Sequence, residues 1–200
     1  MRLSPRCAVH MALLATLAAA PVAAQLQVGT GYRTDRYFGS LVTSTIEDGS
    51  RIRFRPLRPD VFDLSLHRQL GRIRVGLIGS TFVAGLAGES ESDGITIQGG
   101  GTFDVLELAA EAGITLSGNV RVVAGPVIGL WRTEGTANRT VVGAQAGIDF
   151  EAPIGGAFRI FGRATGGVVG SPIDPTSLGD TQERGTLSRR SLVTGVRMQL

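Results

Sequence analysis

Apolar and polar residues alternate with a period of two along most of this chain, in blocks separated by glycine-rich and polar stretches. The cleanest block is Val141–Glu151, where Val142, Ala144, Ala146, Ile148 and Phe150 oppose Gln145, Asp149 and Glu151. A β-strand sends successive side chains to opposite faces, so such a block predicts a strand with one oily and one polar face. Seven more blocks share the pattern: Gln25–Arg33, Val61–Arg68, Arg72–Val83, Phe103–Leu116, Val120–Trp131, Phe158–Val169 and Leu192–Leu200. Segments of roughly ten residues are the length a tilted strand needs to cross a bilayer.

The last block puts Leu192, Thr194, Val196, Met198 and Leu200 on one face and Val193, Gly195, Arg197 and Gln199 on the other. In lipid such a strand has no water to satisfy its backbone edge, so it must pair, and a closed barrel pairs it with the first block. The connections agree. Thr34–Asp60, Ala84–Thr102, Arg132–Thr140 and Gly170–Arg190 are long, whereas Gln69–Gly71, Ser117–Asn119 and Ala152–Ala157 are short. Strict alternation of long loops and short turns is the habit of barrels with both termini on the periplasmic side. The predicted fold is therefore all-β, an eight-stranded antiparallel transmembrane β-barrel. One alternative stays open in the first loop. Ser40–Ile46 and Arg51–Leu57 flank Glu47-Asp48-Gly49-Ser50 and read as a hairpin, which either projects above the membrane or makes the barrel ten-stranded. Its Ser/Thr-rich and arginine-rich arms make poor lipid faces, which favours eight.

Ahead of the first block, Arg2 and Arg6 precede the apolar run Met11–Ala20 and the small residues Val22-Ala23-Ala24. This is the pattern of a secretory signal, and its apolar core is about half the roughly twenty residues of a spanning helix. Residues 1–24 are read as a signal peptide cleaved before Gln25, and residues 25–200 as the barrel domain. Cys7 lies in the charged start without a lipobox, and no other cysteine follows, so neither a lipid anchor, a disulfide framework nor thiol chemistry is expected.

Composition narrows the class further. After residue 24 no run approaches the eighteen or so consecutive apolar residues of a membrane helix. All 20 basic residues are arginine, and without Arg2 and Arg6 the formal charge falls from +3 to +1, so the high pI is no nucleic-acid signal. The 29 glycines, spread through alternating strands, suit a tightly curved barrel.

The signal, the eight alternating segments and the terminal Leu192–Leu200 strand (LVTGVRMQL) together resemble the small outer-membrane β-barrel proteins of the OmpA/OmpX type. The resemblance covers all of residues 25–200 at the level of pattern. It implies residence in the bacterial outer membrane, contact with outer-membrane lipid and lipopolysaccharide, and insertion by the barrel-assembly machinery. In that family the final strand usually ends in an aromatic residue that helps the machinery recognise it; here Leu200 stands there instead.

Charges on the inward parity are the main candidate for chemistry: Arg33, Asp63, His67, Arg72, Arg74, Glu107, Glu111, Arg121, Asp149, Glu151, Arg159, Arg163 and Arg197. Neighbouring strands mostly present opposite signs across a lumen only wide enough for side chains to fill. Such a set either plugs the barrel as a buried ion-pair network or lines a narrow ion or small-solute path, and the cost of unpaired buried charge favours the plug. Enzymatic barrels that modify lipid A or cleave peptides use histidine with Ser, Asp or Glu. The barrel's one histidine, His67, shares a face with Ser65 and Asp63, but close to the periplasmic end and away from lipid substrates. It reads as part of the plug, and no catalytic role is expected.

No metal or cofactor is expected, because acidic residues are scattered. Glu89-Ser90-Glu91-Ser92-Asp93 is at most a loose divalent-cation loop, and Gly99-Gly100-Gly101 lacks the lysine and helix of a phosphate loop. In the first loop Arg36, Arg51, Arg53, Arg55 and Arg58 are candidates for lipopolysaccharide contacts, since guanidinium pairs bidentately with phosphate. Phe150, Phe158 and Tyr32 fall at the levels of the aromatic belts, while Trp131, Phe82 and Phe103 fall on the inward parity and would need bulges to reach lipid. The whole reads as a non-enzymatic, monomeric outer-membrane barrel with a plugged polar interior and a structural or surface-interaction role in its outer loops. The rival classes are a narrow channel, a lipid-modifying enzyme and a soluble lipocalin-like binder with its polarity reversed.

Overall fold

The computed structural model describes residues 25–45, 49–57, 59–90, 96–98, 102–132, 138–172 and 182–200, and they form thirteen strands and no helix. Eight strands make a closed antiparallel barrel in the order β1 (Leu26–Gly39), β13 (Thr186–Gln199), β11 (Phe158–Gly170), β10 (Arg139–Gly155), β9 (Val120–Arg132), β8 (Phe103–Ser117), β5 (Ile73–Ala84) and β4 (Asp60–Leu70). Each corresponds to one alternating block. The last strand closes on the first, from Gln27 opposite Gln199 to Gly39 opposite Leu187, and the Leu200 amide donates to the Leu26 carbonyl at 2.8 Å. Residues 1–24, read as the signal peptide, lie outside the described residues.

The short turns each hold a glycine in the left-handed region, Gly71 at φ 63°, Gly118 at φ 34° and Gly156 at φ 53°. That conformation is nearly free for glycine and strained for other residues. The ladder shifts register at Thr115/Ser117 and at Pro153/Gly155, both beside such turns. No shift falls near Trp131, Phe82 or Phe103, which point inward and are buried.

The polarity is that of a membrane barrel. Phe62, Leu192, Val142 and Leu116 are 65–70% exposed on the outer wall, whereas Asp149 and Arg197 are at most 1% exposed inside. A soluble barrel would bury the first set and hydrate the second. Tyr32 and Phe62 meet edge to face on the outer wall, ring centroids 5.7 Å apart, while Phe150 and Phe158 stand exposed near the periplasmic turn.

The lower lumen is charged and its outer mouth is apolar. Tyr37, Leu41, Val61, Phe82, Ala84, Phe103, Val105, Trp131, Val141, Val169 and Leu187 form one buried cluster there, with Phe103 and Trp131 in an edge-to-face pair at 5.4 Å. Above it the long loops build a second sheet, ordered β12 (Gln182–Arg184), β2 (Val42–Thr45), β3 (Arg51–Pro56), β6 (Leu86–Ser90) and β7 (Thr96–Gln98). The first-loop hairpin thus projects beyond the membrane and the barrel has eight strands. The Leu41 amide donates to the Phe54 carbonyl at 2.7 Å, and the Gly185 amide to the Leu41 carbonyl at 2.9 Å, so the sheet presses Leu41 into the barrel mouth.

Candidate functional site

The lumen is the chemically richest part of the molecule, and all eight barrel strands contribute to it. Its lower layer centres on two carboxylates of β10 that share a face because they are two residues apart. Arg197 donates to Asp149 at 2.9 Å and 3.0 Å, Arg163 donates to it at 3.3 Å, and Arg74 makes a close ion pair with it. Glu151 accepts from Arg121 at 2.8 Å, Arg74 at 3.0 Å, Arg197 at 3.1 Å and Gln27 at 3.3 Å. Arg159 approaches Glu151 at 3.5 Å from the half-exposed periplasmic mouth. Glu111 binds Arg163 through both of its carboxylate oxygens, at 2.7 Å and 2.9 Å, and sits 2.8 Å from His67 Nε2. The Arg197 guanidinium also lies 3.8 Å from the centre of the Phe161 ring. Opposite His67 the wall is Gly76, where any Cβ would collide with the imidazole, so the missing side chain is the room His67 occupies.

A second charged layer lies nearer the outer mouth. Arg33 reaches Glu107 at 3.0 Å and Asp63 and Asp35 at 3.2 Å. Arg189 pairs with Glu107 and donates to Gln145 at 3.1 Å. The Arg33 guanidinium stands 5.7 Å from the Phe82 ring, which joins this layer to the apolar cluster.

Of the thirteen inward charges expected from sequence, eleven are buried together in these two layers and Arg159 stands at their edge. Arg72 does not belong with them. It is exposed in the turn beside Gly71, because β5 begins one residue later, at Ile73. Asp35, Arg189 and Gln27 are part of the network and were absent from the expected set. The parity of Arg33, Asp35 and Tyr37, and of Leu187, Arg189 and Ser191, would have revealed the first two. On β13 the expected lipid face does point outward: Leu192, Thr194, Val196 and Leu200 are exposed and Met198 is partly so.

The first-loop arginines separate into two places. Arg51, Arg53 and Arg55 alternate along β3 and share one face of the outer sheet; the first two are exposed, and Arg55 pairs with Glu89 at 3.1 Å. Arg36 instead stands exposed on the barrel wall. Arg58 lies outside the described residues, as do residues 91–93 of the acidic loop and residues 99–101.

No protein-family model matches this chain, and no curated protein matches it in sequence. Solved structures do match. The outer membrane protein OprG from Pseudomonas aeruginosa aligns with a TM-score of 0.53 at 9% identity, over 89% of this chain and 96% of that one. The outer membrane protein AlkL, determined in lipid bilayers, aligns at 0.53 and 11% identity, over 92% and 94%. Neisserial surface protein A aligns at 0.49 and 11% identity, over 88% and 97%. The fold is that of a small outer-membrane β-barrel.

In this outer-membrane barrel the residues around His67 do not assemble as a nucleophilic triad. Ser65 Oγ donates to the Gly29 carbonyl at 3.3 Å, Asp63 faces Arg33, and His67 is engaged by Glu111 from another strand. A serine nucleophile needs its hydroxyl within hydrogen-bond reach of the base. Glu89, read as part of a loose cation loop, is held by Arg55, and the described residues contain no cluster of three metal-ligating side chains.

Proposed function

We propose that this protein is a monomeric, non-conducting barrel of the bacterial outer membrane, placed there by the barrel-assembly machinery, and that it acts at the surface through the sheet built by its loops. The observation that carries this reading is the double closure of the lumen. Asp149, Glu151, Glu107 and their guanidinium partners fill the lower and middle barrel, and the cluster around Trp131 and Leu41 covers them. An ion crossing this interior would have to break buried pairs, each costing several kcal/mol to leave unpaired. Closure of every barrel strand leaves no edge for a second copy to join. The exposed part with recognition chemistry is the β3 face of Arg51, Arg53 and Arg55, and phosphate-bearing lipopolysaccharide is the ligand class it suits.

Planar-bilayer recording tests the closure. The purified barrel is expected to insert without conductance steps. Steps that shrink when Arg121→Gln or Arg163→Gln is introduced would replace this reading with that of a narrow channel.

A further inference from the structure

Arg36 of β1 and Arg190 of β13 stand directly opposite each other in the ladder, and both are exposed on the outer wall. Like charges in cross-strand register repel one another. Among the described residues neither has a carboxylate partner; both converge instead on one ring, that of Phe38, at 5.4 Å for Arg36 and 4.9 Å for Arg190. Asp60, on the neighbouring strand β4, lies opposite Thr34 rather than opposite Arg36. Across from Arg190 on β11 is Gly166, with open space over it.

The height of this pair on the wall matters as much as its charge. On the same outward face β1 carries the Tyr32–Phe62 aromatic pair, and β13 carries Leu192 as its outermost large apolar residue facing lipid. Aromatic pairs of this kind mark the edge of the hydrocarbon. Arg190 comes two residues after that edge and Arg36 four, roughly 7 and 13 Å along the strands, less in height because the strands tilt. The polar layer of a leaflet is roughly 5–7 Å thick, and arginine stems bend to keep their heads within it. Two guanidinium groups with no carboxylate partner among the described residues therefore stand at headgroup depth, beside the open space over Gly166.

We infer that Arg36, Arg190 and Phe38 form a seat for a phosphate monoester on the headgroup of an outer-leaflet glycolipid. One dianionic phosphate offsets both charges and offers enough oxygens for two bidentate forks, while the Phe38 ring lies against both guanidinium groups. The seat rests on the membrane placement proposed above but not on the arginines of β3.

The test uses the full barrel in phosphatidylcholine nanodiscs doped with diphosphorylated lipid A or with its dephosphorylated form, with retained lipid counted by native mass spectrometry. Heat-modifiable gel mobility verifies that each variant is folded. The expected result is one lipid A held per barrel, reduced about tenfold by loss of the lipid's phosphates or by Arg36→Gln with Arg190→Gln. Arg72→Gln, in the turn at the opposite end of the barrel, is expected to leave retention unchanged, and excess inorganic phosphate is expected not to displace the lipid. Equal retention of the two lipids, or by the Arg36/Arg190 variant, would overturn the seat alone, as would displacement by inorganic phosphate. A chain that stays in solution and enters no nanodisc would overturn both the seat and the membrane reading.

Discussion

Asp149 holds more of the lumen together than any single arginine does. It is fully buried, and Arg74, Arg163 and Arg197 from three different strands all bind it. An arginine removed from this layer leaves carboxylates that still have other partners; Asp149 removed leaves three guanidinium groups short of charge in a space without bulk water. Breaking a buried pair by deleting one partner costs about 3–5 kcal/mol. Asp149→Ala is expected to destabilise the barrel by that amount, read from urea unfolding in lipid vesicles. Trp131, the only tryptophan and itself buried in the lumen, provides the fluorescence signal. Arg72→Ala, exposed in its turn, is expected to stay within about 0.5 kcal/mol of the parent. A comparable loss from the two substitutions would mean that the charge network does not carry the stability assigned to it.

At the scale of strands, position relative to the bilayer decides what a substitution does. Val196 lies at the middle of the lipid-facing stretch Leu192–Leu200, opposite Thr30 and Ile160; Ser188 lies eight residues nearer the outer end. An arginine at the midplane of a barrel's lipid face costs about 2–4 kcal/mol, and close to zero near the interface. Val196→Arg is therefore expected to lower stability by that larger amount and Ser188→Arg to leave it nearly unchanged in the same unfolding measurement. The same boundary explains how far the fold could be read in advance. Alternation is visible only while lipid demands apolar residues on one face. β1 was expected to end at Arg33 and β13 to begin at Leu192, yet the strands run to Gly39 and from Thr186, because Thr34, Arg36, Ser188 and Arg190 are polar on the outward face and look like loop. Asp35 and Arg189 were missed for that reason. The apolar cluster was missed for a related one, since Phe82, Phe103 and Trp131 occupy an inward face that is otherwise charged. The outer sheet joins β12 to β2 across most of the chain's length, a pairing no local pattern carries.

The whole molecule is two hydrogen-bonded systems stacked on one another, and they are separable. The barrel ladder runs through eight strands without using β2, β3, β6, β7 or β12, while the outer sheet uses only those five. Replacing residues 40–56 with a Gly/Ser linker long enough to run from Gly39 to Leu57 removes the centre of the outer sheet and leaves every barrel pairing intact. It also removes Leu41, a fully buried side chain of the mouth cluster, and a deletion of that kind costs about 2–5 kcal/mol. The shortened chain is expected to keep its heat-modifiable gel mobility, because closure depends on the ladder, and to unfold at lower urea, because the cluster has lost its cap. It is also expected to remain silent in planar bilayers. Beneath the weakened cluster, Glu107 with Arg33 and Arg189, and Asp149 with its arginines, still span the lumen from wall to wall. Conductance in the shortened barrel would show that the loops, not the ion pairs, keep it shut. Silence there, followed by conductance when Asp149→Ala is added, would assign the closure to the charged layers.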